Sequence, residues 1–132
     1  MDFVSIRLVT DNVDGLVQFY EQITGLPLLR PTDDFAELKT PSCTLAIAST
    51  RTIERFGAGA ARPADNHTMI IEFRVDDVDQ EYEKLQHLVG EFVQEPTTQP
   101  WGNRSMLFRD PDGNLINFFT PVSPDAIKKI AQ

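Results

Sequence analysis

Residues Ile6 to Gly25, IRLVTDNVDGLVQFYEQITG, and residues Ile71 to Gly90, IEFRVDDVDQEYEKLQHLVG, align without a gap. A constant offset of 65 carries Ile6 onto Ile71, Asp11 onto Asp76, Val13-Asp14 onto Val78-Asp79 and Gly25 onto Gly90. A chain written twice is constrained to two similar units, because each copy repeats the same signals for starting and stopping elements. An apolar strand opens each copy, and Asn12 or Asp77 follows where a helix N-cap belongs. Gln80, three residues after Asp77, is placed to complete a capping box. Val13, Leu16, Tyr20 and Ile23 form one helical stripe and Val78, Tyr82, Leu85 and Leu88 its counterpart, at the spacing of an amphipathic helix. Gly25 and Gly90 then fall where a left-handed residue ends a helix.

Three short strands are expected after each helix. They are Leu28 to Arg30, Phe35 to Lys39 and Thr44 to Ala48 in the first copy, and Glu91 to Val93, Arg104 to Arg109 and Leu115 to Thr120 in the second. Each copy therefore reads as βαβββ, an α+β arrangement. Asp110-Pro111-Asp112-Gly113 is a reverse turn, since proline presets φ and glycine accepts the positive φ that ends such turns. The stretch Arg51 to Asn66, RTIERFGAGAARPADN, mixes charges with Gly, Ala and Pro, as a connection does; a plain linker and a lid over a site both fit it. SPDAIKKIAQ reads as a terminal helix capped by Ser123 with Pro124 in its first turn. The expected organisation is one domain spanning 1–132: module one over 1–50, a linker over 51–66, module two over 67–122 and a terminal helix over 123–132.

Composition narrows the function. Twenty Asp and Glu against twelve Lys and Arg give a net charge of −8, which repels nucleic acid and anionic membrane surfaces. No apolar run approaches the roughly 20 residues that cross a bilayer, and the start of the chain lacks the basic and apolar regions of a signal peptide. A single cysteine, Cys43, has no partner for a disulfide or zinc site and reads as a small buried hydrophobe rather than a nucleophile. These features point to the cytoplasm.

Two βαβββ units in tandem, with VQFYEQITG in the first helix, FRVDDVD at the second strand-helix junction and PWGNRSMLFRDPDGNLINFF at the C-terminal hairpin, resemble the glyoxalase/bleomycin-resistance/dioxygenase superfamily, the vicinal-oxygen-chelate fold. The resemblance implies two modules forming a curved mixed sheet around a cavity, with a homodimer completing or reinforcing it. Many members hold a divalent metal with His, Glu or Gln, His and Glu from four strands. Carried over residue by residue, these positions fall on Ser5, near Ala46, on Ile70 and on Asn117. None is a good ligand for a hard or borderline cation, and isoleucine offers no lone pair. His67 and His87 lie away from those positions, so no metal and no other cofactor is expected. Asn117 then stands in an otherwise apolar strand as a polar group lining a cavity without an ion.

Strand alternation sorts the rest. Val4, Ile6 and Leu8, with Ile71, Phe73 and Val75, should face the helices. Ser5, Arg7 and Val9, with Ile70, Glu72 and Arg74, should face the cavity. Arg7 and Glu72 are equivalent under the offset. The charges of Arg7, Glu72 and Arg74 fit either an ion pair or dimer contact, or the anchoring of a ligand. Trp101 fits either stacking on a planar or cationic ligand or packing of its hairpin. Phe119, on the same face as Asn117, fits a cavity wall or core.

The sequence therefore reads as a metal-independent small-molecule-binding protein, with sequestration of a drug as a candidate role and a cationic or aromatic ligand. The expected ligand-binding set is Ser5, Arg7, Ile70, Glu72, Arg74, Trp101, Asn117 and Phe119. Two enzyme readings compete with it. One is a lyase, isomerase or dioxygenase with a metal on atypical ligands such as Glu72, Asn117 and His67. The other is a metal-free acid-base enzyme built on Glu72.

Overall fold

The computed structural model describes residues 1–131. By its contacts the chain divides into two compact units, one of residues 1–66 with 111–113, the other of residues 67–110 with 114–132.

In unit one, strand β1 (Ser5–Thr10) leads into helix α1 (Val13–Thr24), followed by β2 (Leu29–Thr32), β3 (Phe35–Lys39) and β4 (Thr44–Ser49). The four strands form one sheet in the order β1-β4-β3-β2. β1 and β4 run parallel, and the other neighbours are antiparallel. Helix α1 starts where the Asn12 side chain accepts the Gly15 N–H at 2.9 Å. It stops at Gly25, whose φ of 70° lets its N–H reach the Glu21 carbonyl at 2.9 Å. The stripe of Val13, Leu16, Tyr20 and Ile23 is buried together with Val17. The helix packs against β3 and β4, whose Ala36, Leu38, Leu45 and Ile47 are likewise buried. The connection after β4 begins with a short helix, α2 (Thr50–Ile53), tucking Ile53 under the sheet's end before the chain turns irregular.

Unit two repeats the plan. Strand β5 (Ile70–Arg74), helix α3 (Val78–Leu85) and strands β6 (Phe92–Thr98), β7 (Asn103–Arg109) and β8 (Leu115–Pro121) give the sheet order β5-β8-β7-β6, with β5 and β8 parallel. The Asp77 carboxylate caps α3 by accepting the N–H groups of Asp79 and Gln80. An aromatic chain fills the core beneath the helix: Phe73 on Phe118, Phe118 on Phe108, Phe108 on Phe92 and Phe92 on Tyr82, each edge to face with centroids 4.9–6.0 Å apart. The DPDG turn forms with Gly113 at φ 84°. Buried Asp110 closes it by accepting both the backbone and the side-chain N–H of Asn114 at 2.9 and 2.7 Å. Helix α4 (Pro124–Ala131) is capped by the Ser123 hydroxyl, which accepts the Ala126 N–H; Gln132, placed in this helix from the sequence, lies outside the described residues.

Several expectations need correction. Helix α3 ends at Leu85, one turn before its counterpart would, and Gly90 has no positive φ. Leu88 is consequently exposed, Val89 takes the buried place, and His87 lies in the turn after the helix. Leu88 and Val89 donate to the Leu85 carbonyl instead, so the helix closes on itself without a glycine. Val4 precedes β1 and is 68% exposed rather than core. Cys43 is exposed in the β3-β4 turn, where its backbone serves the Thr40 hydroxyl, so its place is set by turn chemistry and not by burial. Strand β6 runs over seven residues rather than the expected three, with register shifts between Phe92 and Gln94 and between Gln94 and Thr97, the second spanning Pro96.

Candidate functional site

Each sheet has a face turned away from its long helix, and register fixes its members. In unit one, Arg7 lies beside Ala46, then Glu37, then Leu29. The flanking rows are Ser5, Thr44 and Lys39 on one side, and Val9, Ala48, Phe35 and Thr32 on the other. The Arg7 guanidinium carbon is 5.5 Å from the centroid of Phe35 and 5.6 Å from that of Phe56, a cation held by two ring faces. Phe56 comes from the connection after α2.

In unit two, the equivalent row is Glu72, Asn117, Leu107 and Gln94, flanked by Ile70, Leu115 and Arg109 and by Arg74, Phe119, Ser105 and Thr97. The Asn117 Nδ2 donates to Glu72 Oε2 at 2.9 Å. A carboxylate only accepts, so it fixes which end of the amide faces it. The amide oxygen, Oδ1, is sealed from solvent and accepts no hydrogen bond among the described residues. Along the same face the Gln99 amide donates to Gln94 and to the Ser105 hydroxyl. Ile70 is 50% exposed and Arg74 is exposed.

None of Arg7, Glu72 and Arg74, whose charges fitted an ion pair, a dimer contact or ligand anchoring, belongs to an ion pair among the described residues. Arg7 lies near two rings and Glu72 accepts from an amide, while Arg74 has no such partner among the described residues. Trp101 is 67% exposed at the tip of the β6-β7 loop. The loop's shape is set by its neighbour Gly102, with φ 95° and a carbonyl that accepts both Val122 and Ser123 N–H groups. A Cβ at Gly102 would sit 2.0 Å from the Ser123 hydroxyl, so "PWG" fastens the loop to the start of α4 while leaving the indole in solvent. Phe119 is half-buried on the same face as Asn117, away from the core residues Ile116 and Phe118.

Of the positions inherited by resemblance from metal-binding proteins, Ser5 and Ala46 fall on the open face of unit one, and Ile70 and Asn117 on that of unit two. They present a hydroxyl, two hydrocarbon side chains and an amide already engaged with Glu72. This set does not fit a divalent cation. His67 and His87 are exposed, and no group of three or more His, Cys, Asp or Glu gathers to hold an ion among the described residues.

Sequence reasoning missed Phe35, Phe56, Gln94, Gln99 and Ser105. Alternation from Glu37 would have put Phe35 on Arg7's face; no periodic signal marks Phe56. Unit one also has a polar cleft of about 380 Å³ lined by Asp11, Asp14, Arg30, Asp33 and Arg51 among others. Its arginines are already spent on Asp14 and Asp34, whose neutralised charges read as a surface network.

Comparison with other proteins agrees with this architecture. The model of the Glyoxalase/Bleomycin resistance protein/Dioxygenase superfamily matches residues 2–118. The chain belongs to that superfamily. The uncharacterized protein YraH of Bacillus subtilis is 26% identical over 125 residues, covering 90% of this chain and 98% of that one. A glyoxalase/bleomycin resistance protein/dioxygenase from Nocardioides is 25% identical with a TM-score of 0.75, covering 94% and 85% of the two chains. A superfamily enzyme from Burkholderia phytofirmans shares the fold at a TM-score of 0.80 and 16% identity, covering 92% and 100%. No helix among the described residues is long and apolar enough to cross a membrane.

Proposed function

We propose that this chain is a metal-independent small-molecule-binding protein of the superfamily, with drug sequestration as its candidate role. The reading treats residues 1–132 as one ligand-binding domain that works in the cytoplasm as a homodimer. Its ligand-contacting groups are Ser5 and Arg7 on one open sheet face, Ile70, Glu72, Arg74, Asn117 and Phe119 on the other, and Trp101 at its loop tip. One observation carries the reading. The strand position where a chelating relative keeps a carboxylate is Asn117, and its amide is committed to Glu72. Binding by shape, aromatic contact and charge requires no covalent step, and no nucleophile hydrogen-bonds a histidine among the described residues.

Two titrations of the intact protein test this. Cationic glycopeptides and aromatic metabolites should change the tryptophan fluorescence and raise the melting temperature, because a ligand that binds only the folded state stabilises it. Mn, Fe, Ni and Zn salts should leave the melting temperature where it was. A metal-specific rise with close to one ion bound per chain would replace the binder with a metal-dependent lyase, isomerase or dioxygenase.

A further inference from the structure

Four of the eight arginines of this acidic chain bind named oxygen acceptors. Arg30 binds Asp14 and the Asp33 carbonyl, Arg51 binds Asp34, Arg62 binds Asp65, and Arg104 binds Asp79 and the Thr98 hydroxyl. Arg7 does otherwise. It is exposed on the open face of β1, an edge strand of unit one's sheet, with the rings of Phe35 and Phe56 near its guanidinium. Rings attract the cation but accept no conventional hydrogen bond. None of the five Arg7 N–H donors meets a protein acceptor among the described residues. Glu37, the acid in the same row, lies two strands away and sits 4.0 Å from Lys39 instead. Arg55 and Arg74 also lack an acceptor, yet no ring lies over either among the described residues.

A guanidinium held near two rings, with none of its N–H donors on a protein acceptor among the described residues, suits a planar, bidentate oxyanion. Its surroundings define the rest of the ligand. Ala46 lies directly beside Arg7, and Ala48, Val9 and Phe35 form the next row, so the floor is small and apolar. We propose that Arg7, with Phe35 and Phe56, forms a subsite for the oxyanion of an aromatic or other apolar acid, a carboxylate being the closest geometric match. This rests on the reading that the open faces bind ligand, and it narrows the ligand class: a purely cationic compound has no use for this subsite.

The test uses the intact protein with benzoate, phenylphosphonate, benzamide and benzylammonium as probes, followed by melting temperature and by the arginine side-chain ¹⁵N resonances. Benzoate should move the Arg7 Nε–H signal and bind roughly tenfold or more tightly than benzamide, the strength expected of a charge-assisted bidentate pair. Arg7→Gln should abolish that preference, Arg7→Lys should retain part of it, and Phe56→Leu should weaken it several-fold with the charge unchanged. Arg7 and Phe56 are exposed, so these variants should fold, which their unchanged melting temperatures without probe would verify. Tighter binding of phenylphosphonate than benzoate, with the same dependence on Arg7, would support the subsite and assign it to phosphoryl groups. Equal benzoate binding by wild type and Arg7→Gln would overturn it, as would an Arg7 signal that moves in Glu37→Gln, the mark of an Arg7-Glu37 pair in solution. If benzylammonium binds and benzoate does not, the subsite falls and the binder stands; if no probe binds wild type and the glycopeptide and metabolite titrations are silent too, both fall.

Discussion

The same position of the repeat holds Arg7 in unit one and Glu72 in unit two, and the two charges are supported by opposite means. Aromatic rings hold the cation, leaving its donors open. A side-chain amide grips the carboxylate, tying up one of its oxygens. Strand pairing and helix placement differ less: both sheets keep the parallel pairing of first and last strand and an N-capped helix over it. The two units thus share a backbone plan while their open faces carry opposite charges at the same position.

The cores diverge in kind as well. Unit one packs aliphatic side chains around Tyr20, and unit two stacks its aromatic chain. The largest effect expected from breaking this comparison is at Phe118, which touches both Phe73 and Phe108. Phe118→Ala should cost about 4 kcal/mol and Leu38→Ala, in the other core, about 3 kcal/mol, read from denaturant midpoints. A Leu38→Ala cost as large as that of Phe118→Ala would mean that the ring contacts add nothing beyond volume.

The two helix ends provide a sharper contrast, since the aligned glycines have different jobs. Gly25→Ala should destabilise by about 1 kcal/mol, because its left-handed backbone admits a side chain poorly. Gly90→Ala should stay within about 0.5 kcal/mol, having neither a positive φ nor a crowded Cβ. Equal losses in thermal unfolding would show that Gly90 serves a purpose its backbone does not reveal.

The smallest effect concerns pH. Asp14 and Asp79 are aligned, and each binds an arginine from a strand, Arg30 and Arg104. Hydrogen bonds from Arg104 hold the Asp79 carboxyl below the ordinary carboxylate range. A depressed folded-state value stabilises the protein above the unfolded-state value and is lost as pH falls through the folded one. Arg104→Gln should therefore raise the Asp79 titration midpoint towards normal in NMR and reduce stability slightly at neutral pH, with wild type and variant converging in acid. An Asp79 midpoint that does not move would assign the shift to another cause.

Much of this was legible in the residues. The offset of 65, the caps at Asn12 and Asp77 and the DPDG turn each specify backbone geometry locally, so the order of elements followed from them. Strand alternation likewise placed Arg7, Glu72 and Asn117 on open faces. What the pattern could not convey was pairing across strands. That Asn117 meets Glu72 depends on the parallel register of β5 with β8, and Phe56 reaches Arg7 from a segment without any period. Cys43 and Leu88 were misjudged for a related reason: their surroundings are decided by where a turn or helix stops, and those stops depend on hydrogen bonds made elsewhere.

Every strand of the first sheet comes from within residues Ser5–Ser49. Its longest-range pairing joins β1 to β4, a modest loop closure across one helix and one hairpin. On the ribosome, all partners for that sheet have been synthesised before the first residue of β5 is added. The nascent first half therefore does not have to wait for strand partners encoded later in the message.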